Sequence, residues 1–174
     1  MNQLWAPWRM RYIENADNQD GCIFCSKPAE TSDEKNLIIC RGDLTFVMMN
    51  AFPYSNGHLM VSPYKHTADL DDLTPDEMLE LMDSTRRGLN LLKAAFKPDG
   101  FNIGANMSRI AGAGIADHVH IHVVPRWSGD TNFMTVLGDV RVVPESLSAV
   151  YGRLKAALVN PTPTPTPNPE LGME

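Results

Sequence analysis

The stretch His118-Val119-His120-Ile121-His122-Val123-Val124, running on into Pro125-Arg126-Trp127, decides how the rest of this 174-residue chain is read. Imidazoles alternate with β-branched residues, the pattern of a strand with one apolar and one functional face. Side chains at i, i+2 and i+4 of a strand share a face, about 6–7 Å apart at each step. Val119, Ile121 and Val123 then point the other way, into a core. Coiled as a helix, the same run would scatter its imidazoles around the barrel and crowd the branched side chains. Three of the five histidines in the chain stand in this row. Such a row supports a zinc site built from the histidines themselves, or nucleophilic catalysis by one imidazole with its neighbours as hydrogen-bond donors. Plain packing of satisfied histidines on a sheet is the third reading.

Working outward, Gly112-Ala113-Gly114 precedes the row with little side-chain bulk, so its amides can approach an anion closely. That favours a phosphate site beside the imidazoles. The chain is long enough for one domain with a sizeable core. Its net charge of −6 argues against a nucleic-acid polymer as partner, whereas a small phosphate-bearing ligand needs only local donors. No apolar run is long enough for a membrane span, and MNQLWAPWRMRYIEN lacks an apolar signal core, so a cytoplasmic protein is expected. Three cysteines, two of them in Cys22-Ile23-Phe24-Cys25, do not make a disulfide framework. In a reducing compartment that spacing favours metal or redox chemistry.

Residues 1–20, with Trp5, Trp8 and Tyr12, read as an arm packed on the domain or on a partner subunit. Cys22–Cys25 reads as a Gly-flanked turn. Leu37–Cys40 and Leu44–Asn50 read as strands joined by a hairpin turn at Arg41-Gly42-Asp43, and 51–57 as a loop. His58–Ser62 is a third strand, stopped by Pro63. Thr74-Pro75-Asp76-Glu77 starts a helix, with Thr at the N-cap and Glu three residues on. That helix ends near Pro98-Asp99-Gly100. Phe101–Asn106 is a fourth strand, 107–116 a loop and the histidine row the fifth strand. After a loop over 125–138, Glu145–Val159 is a second helix. The proline-alternating NPTPTPTPNP opens an extended tail over 160–174. The expected architecture is α+β: a five-stranded antiparallel sheet with one long helix and a C-terminal helix, over a domain spanning 21–159.

HVHIHVVPRW resembles the signature of the histidine triad (HIT) superfamily of nucleotidyl hydrolases and transferases, and GHLMVSPYKH at 57–66 resembles the strand before that family's long helix. The resemblance covers about residues 22–135. The flanks LWAPWRMRYI and PRWSGDTNF are similar to the branch that includes diadenosine tetraphosphate phosphorylases. It implies a HIT-like fold and attack by His120 on the α-phosphorus of a purine nucleotide or dinucleoside polyphosphate, through a covalent nucleotidyl-histidine. It further implies that His122, His58 and the amides of Ala113, Gly114 and Ile115 bind phosphate oxygens. Asn50 falls where the family has a ribose-binding acid, and Asn106 matches its phosphate-side asparagine if the following loop carries one extra residue. Met48 and Phe52, with Met49, would line the base pocket or simply fill the strand-end core. Members of the family usually form homodimers, and Thr74–Phe96 is long enough to serve both core and interface.

The resemblance also suggests how the cysteine pair is completed. Some members hold a structural Zn²⁺ between such a pair, a histidine after the third strand and the first histidine of the triad, here Cys22, Cys25, His66 and His118. Buried thiols without metal, or a disulfide, are the competing readings, and Cys40 reads as a core residue. Hydrolase-like members carry Gln or Ser in the loop before the triad, and the phosphorylases carry Gly-Ser where Ala113-Gly114 stands. These departures favour a hydrolase or transferase of phosphoanhydride or phosphoramidate bonds. A phosphate-dependent phosphorylase is the alternative within that class, and a nucleotide-binding or sensing module with little catalysis lies outside it. A metal enzyme with zinc on all three triad histidines is the remaining reading.

Overall fold

Five strands form one antiparallel sheet: β1 Ile38–Arg41, β2 Thr45–Met49, β3 Leu59–Pro63, β4 Gly100–Gly104 and β5 Ile121–Arg126, in the order β1-β2-β3-β5-β4. The computed structural model describes residues 21–130 and 144–159. The arm at 1–20, the tail at 160–174 and the end of the 125–138 loop lie outside the described residues. Three α-helices accompany the sheet in that part: α1 Ile23–Ala29, α2 Pro75–Phe96 and α3 Leu147–Val159.

Alternation along the central strands sorts their side chains onto two faces. Val47 and Met49 of β2, Leu59 and Val61 of β3, and Ile121 and Val123 of β5 form one core with Val119, under Leu81, Leu91 and Leu92 of α2 and Val150, Tyr151 and Leu154 of α3. Burying a leucine as fully as Leu81 or Leu92 contributes about 1.5–3 kcal/mol. Helix α2 lies close to the sheet at Gly88, where an added Cβ would sit 3.4 Å from Leu59. The other face carries Phe46, Met48 and Met60, covered by Phe24 of α1 with Ile38 alongside. His122 pairs with Met60 across β3 and β5, so the histidine face belongs to this second, smaller cluster.

The start of α2 follows from sequence. Thr74 Oγ1 accepts from the Glu77 amide at 3.2 Å and Glu77 Oε2 accepts from the Thr74 amide at 2.7 Å, a reciprocal cap that contributes about 1 kcal/mol. The helix stops at Lys97, which takes a left-handed conformation ahead of Pro98.

Most element boundaries shift by a residue or two from the sequence reading, β3 running through Pro63, β4 ending at Gly104 and α3 starting at Leu147, and three differences have a plain physical cause. The Cys22–Cys25 segment is not a plain turn but the start of α1, where the amides of Cys25 and Ser26 return to the Cys22 carbonyl at 3.0 and 2.9 Å. The ladder of β5 starts at Ile121 rather than His118, because the Val119 amide goes to the Thr67 carbonyl (2.7 Å) instead of to β3. At its far end β5 continues through Pro125 and Arg126. There it pairs with β4 alone, β3 having ended its register at Val123, and a missing amide is tolerated.

Candidate active site and metal centre

His120 is held by a bond from its own approach segment. Its Nδ1 lies 2.9 Å from the His118 carbonyl, which can only accept, so Nδ1 carries the proton and Nε2 the lone pair. The ring is 5% exposed, and burial lowers its pKa below the usual histidine value, against the pull of that carbonyl. A neutral imidazole with an unprotonated Nε2 is the nucleophilic form. The ring of Phe24 lies against it at 4.5 Å between centroids and that of His122 meets it edge-on at 4.8 Å.

The protons on the next two imidazoles follow in the same way. The Tyr54 amide donates to His58 Nδ1 at 3.1 Å, so neutral His58 carries its proton on Nε2 and donates it to His122 Nδ1 at 2.9 Å. His122 then holds its own proton on Nε2. The sequence reading set His58 against a phosphate, but it is 1% exposed and its two nitrogens face Tyr54 and His122. Its hydrogen bond orients His122 rather than meeting a ligand directly.

His118 is turned to other work. Its Nε2 donates to the Pro63 carbonyl at 2.9 Å, which leaves Nδ1 as the lone-pair nitrogen. That Nδ1 stands 3.3 Å from Cys22 Sγ, 3.5 Å from Cys25 Sγ and 3.2 Å from His66 Nδ1, and Cys25 Sγ is 3.3 Å from His66 Nδ1. All four donor atoms lie within 4.8 Å of one another. A tetrahedral zinc with S and N ligands places sulfur and nitrogen about 3.6 Å apart and two nitrogens about 3.3 Å apart. The donor set and its spacing therefore fit a zinc ion. Burial pushes the Cys22 thiol up and the His118 imidazole down, so an ion in their midst would have to displace the thiol proton.

The remaining expected residues are spread around this line of rings. Asn50 Oδ1 accepts from the Phe52 amide at 2.8 Å, and Asn106 Nδ2 reaches the Gly112 carbonyl at 3.4 Å. The Ala113 amide closes a 3.2 Å bond to the Ser108 carbonyl, so of the three loop amides expected to face phosphate this one is already engaged. Ala113 is buried, and Gly114 and Ile115 are half-buried, with Ile115 against the smaller cluster. Met48 is buried in that cluster and Phe52 is 57% exposed. The structure thus gathers Cys22, Cys25, His66 and His118 at one end of the row and His58 and His122 at the other.

Three contributors escaped the sequence reading. The Pro63 carbonyl and the Tyr54 amide are backbone groups, with no residue-type signal. Phe24 had a signal: a large apolar residue between two candidate ligands has to be buried somewhere near them.

The family model of the HIT domain matches residues 31–129. The chain is 40% identical over 154 residues to an AP-4-A phosphorylase of Mycobacterium tuberculosis, an alignment spanning 84% of this chain and 79% of that protein. It is 32% identical over 93 residues to the asymmetrical bis(5'-nucleosyl)-tetraphosphatase of Schizosaccharomyces pombe, covering 53% of this chain and 50% of that one. Among solved structures, a Zn-bound histidine triad family protein of Mycobacterium smegmatis shares the fold, with a TM-score of 0.59 at 24% identity over 87% of this chain and 96% of that one.

Proposed function

Because the chain belongs to the HIT domain family, we propose that it is an enzyme that transfers a nucleotidyl group from a dinucleoside polyphosphate through His120. The observation that carries the reading is the tautomer of His120: Nδ1–H bound to the His118 carbonyl, hence a lone pair on Nε2 beside His122. Nε2 attacks the α-phosphorus, a nitrogen–phosphorus bond forms, and the bridging oxygen leaves with the rest of the polyphosphate. The Nε2–H of His122 and the amides of Gly114 and Ile115 stabilise the oxygens on which charge builds. Asn50 bonds the ribose, Asn106 steadies the phosphate loop, and Met48 and Phe52 border the base. Cys22, Cys25, His66 and His118 would hold a zinc ion, whose chemistry here is to tie α1 to the sheet.

Inorganic phosphate is the acceptor we favour for the second step, on the strength of the similarity to the AP-4-A phosphorylase over most of both chains. Its oxygen attacks the same phosphorus and releases a nucleoside diphosphate. Diadenosine tetraphosphate supplied with phosphate should yield ADP and ATP. AMP and ATP formed without phosphate would place water as the acceptor. That second reading is favoured by the hydroxyl-free Ala113-Gly114-Ile115 loop and by the similarity to the tetraphosphatase. Tight AMP binding without turnover on either assay would make the chain a nucleotide-binding module.

A further inference from the structure

We propose that Phe24 is the positioning residue that fixes the ring of His120, and that it does so as part of the Cys22–Cys25 turn. This rests on His120 being the nucleophile. Phe24 lies one residue before Cys25 in the first turn of α1 and is 1% exposed. Its ring is 5.3 Å from that of His118 and 4.5 Å from that of His120, tilted by 31° to the latter, with Phe46 behind it at 6.5 Å. Among the described residues His120 has one hydrogen bond, from Nδ1 to the His118 carbonyl. One bond fixes a direction and leaves the ring plane to be set by what packs on it. The face contact comes from Phe24 and the edge contact from His122. The helical turn that aims Cys22 at His118 and Cys25 at His66 also carries Phe24 into the smaller apolar cluster, so the ligand turn and the ring that packs on the nucleophile share one piece of backbone. Near-attack geometry is steep in distance: a displacement of about 1 Å costs about 10²-fold in rate.

The test is the full-length protein labelled with ¹⁵N-histidine, wild type against Phe24→Leu, at one alkaline pH. In long-range ¹H–¹⁵N spectra, wild-type His120 should be a single Nδ1–H tautomer. In Phe24→Leu its signals should broaden or split, while those of His58 and His122 stay as they are. On diadenosine tetraphosphate, kcat should fall about 10- to 100-fold with KM within about twofold, and metal content should match that of the wild type. If the leucine variant does not fold, Phe24→Met, which refills the space with a flexible chain, carries the same readouts. A single sharp Nδ1–H signal with unchanged kcat would overturn the proposal, as would equal disturbance of His122. Should the wild type turn over no nucleotide, the assigned nucleophilic role fails on its own account and the His120 spectrum decides the positioning question.

Discussion

The two ends of the histidine row are built from the same residue type and differ in which nitrogen the protein has committed. At the first end a backbone carbonyl takes the Nε2 proton of His118, and Nδ1 faces two sulfurs and a second imidazole nitrogen. At the second end, His58 fills Nδ1 of His122 and the proton sits on Nε2. Each end also has an aromatic ring: Phe24 against His118 and His120, Tyr54 against His58 and His122. Between them, His120 is protonated on Nδ1 through a main-chain acceptor. A lone pair among soft donors invites a cation, whereas an N–H beside a nucleophile invites an anion. The partner atoms, not the side chain, divide the row into a lone-pair end and an N–H end, the proposed metal and phosphate ends.

The sharpest way to break that division is to remove its middle. His120→Ala should lower kcat by at least about 10³-fold while leaving metal stoichiometry unchanged. Steady-state rates near wild type would show that a different imidazole is the nucleophile. A smaller effect is expected at the metal end, and of another kind. Cys25→Ala should abolish zinc binding, and losing about 3 kcal/mol with it would lower the melting temperature by roughly 6–12 °C. AMP affinity, read at a temperature where the variant is folded, should stay within about twofold. Metal analysis that finds zinc retained, or an unshifted melting temperature, would join what the comparison separates.

How much of this was legible in the sequence depended on whether side chains or backbone carried the message. The alternation of Val119, Ile121 and Val123 with histidines was enough to put the imidazoles on one face and the valines in the core, and the structure keeps that sorting. The cap at Thr74 and Glu77 was equally readable, because both partners are side chains at fixed spacing. The gathering of Cys22, Cys25, His66 and His118 was reachable only through family resemblance, since nothing in the spacing brings residues 22 and 118 together. What could not be read was each tautomer, which depends on the Pro63 and His118 carbonyls and the Tyr54 amide. The helix at α1 was missed for a related reason: Cys22 caps it with its backbone, and its side chain makes no cap bond. His58 was set beside the phosphate only by family resemblance. Its near-complete burial follows from the His122 contact, across a sheet that sequence does not draw.

The mildest effect should come from His58, and two substitutions there separate its two bonds. Glutamine places an amide nitrogen near the position of Nε2 and can still donate to His122 Nδ1, while the Tyr54 amide loses its acceptor. Asparagine is too short to reach His122 but sets an oxygen near the position of Nδ1, where the Tyr54 amide is retained. If the work of His58 is to fix the proton of His122 on Nε2, His58→Asn should lower kcat about tenfold, the lower end for an outer-shell partner. His58→Gln should stay within about threefold of wild type in kcat while losing about 1–3 kcal/mol of stability through the unsatisfied amide. Thermal unfolding and steady-state kinetics on the same preparations measure both. The opposite ranking, with glutamine the slower enzyme, would mean that the loop carrying Tyr54, rather than the proton of His122, is what His58 holds in place.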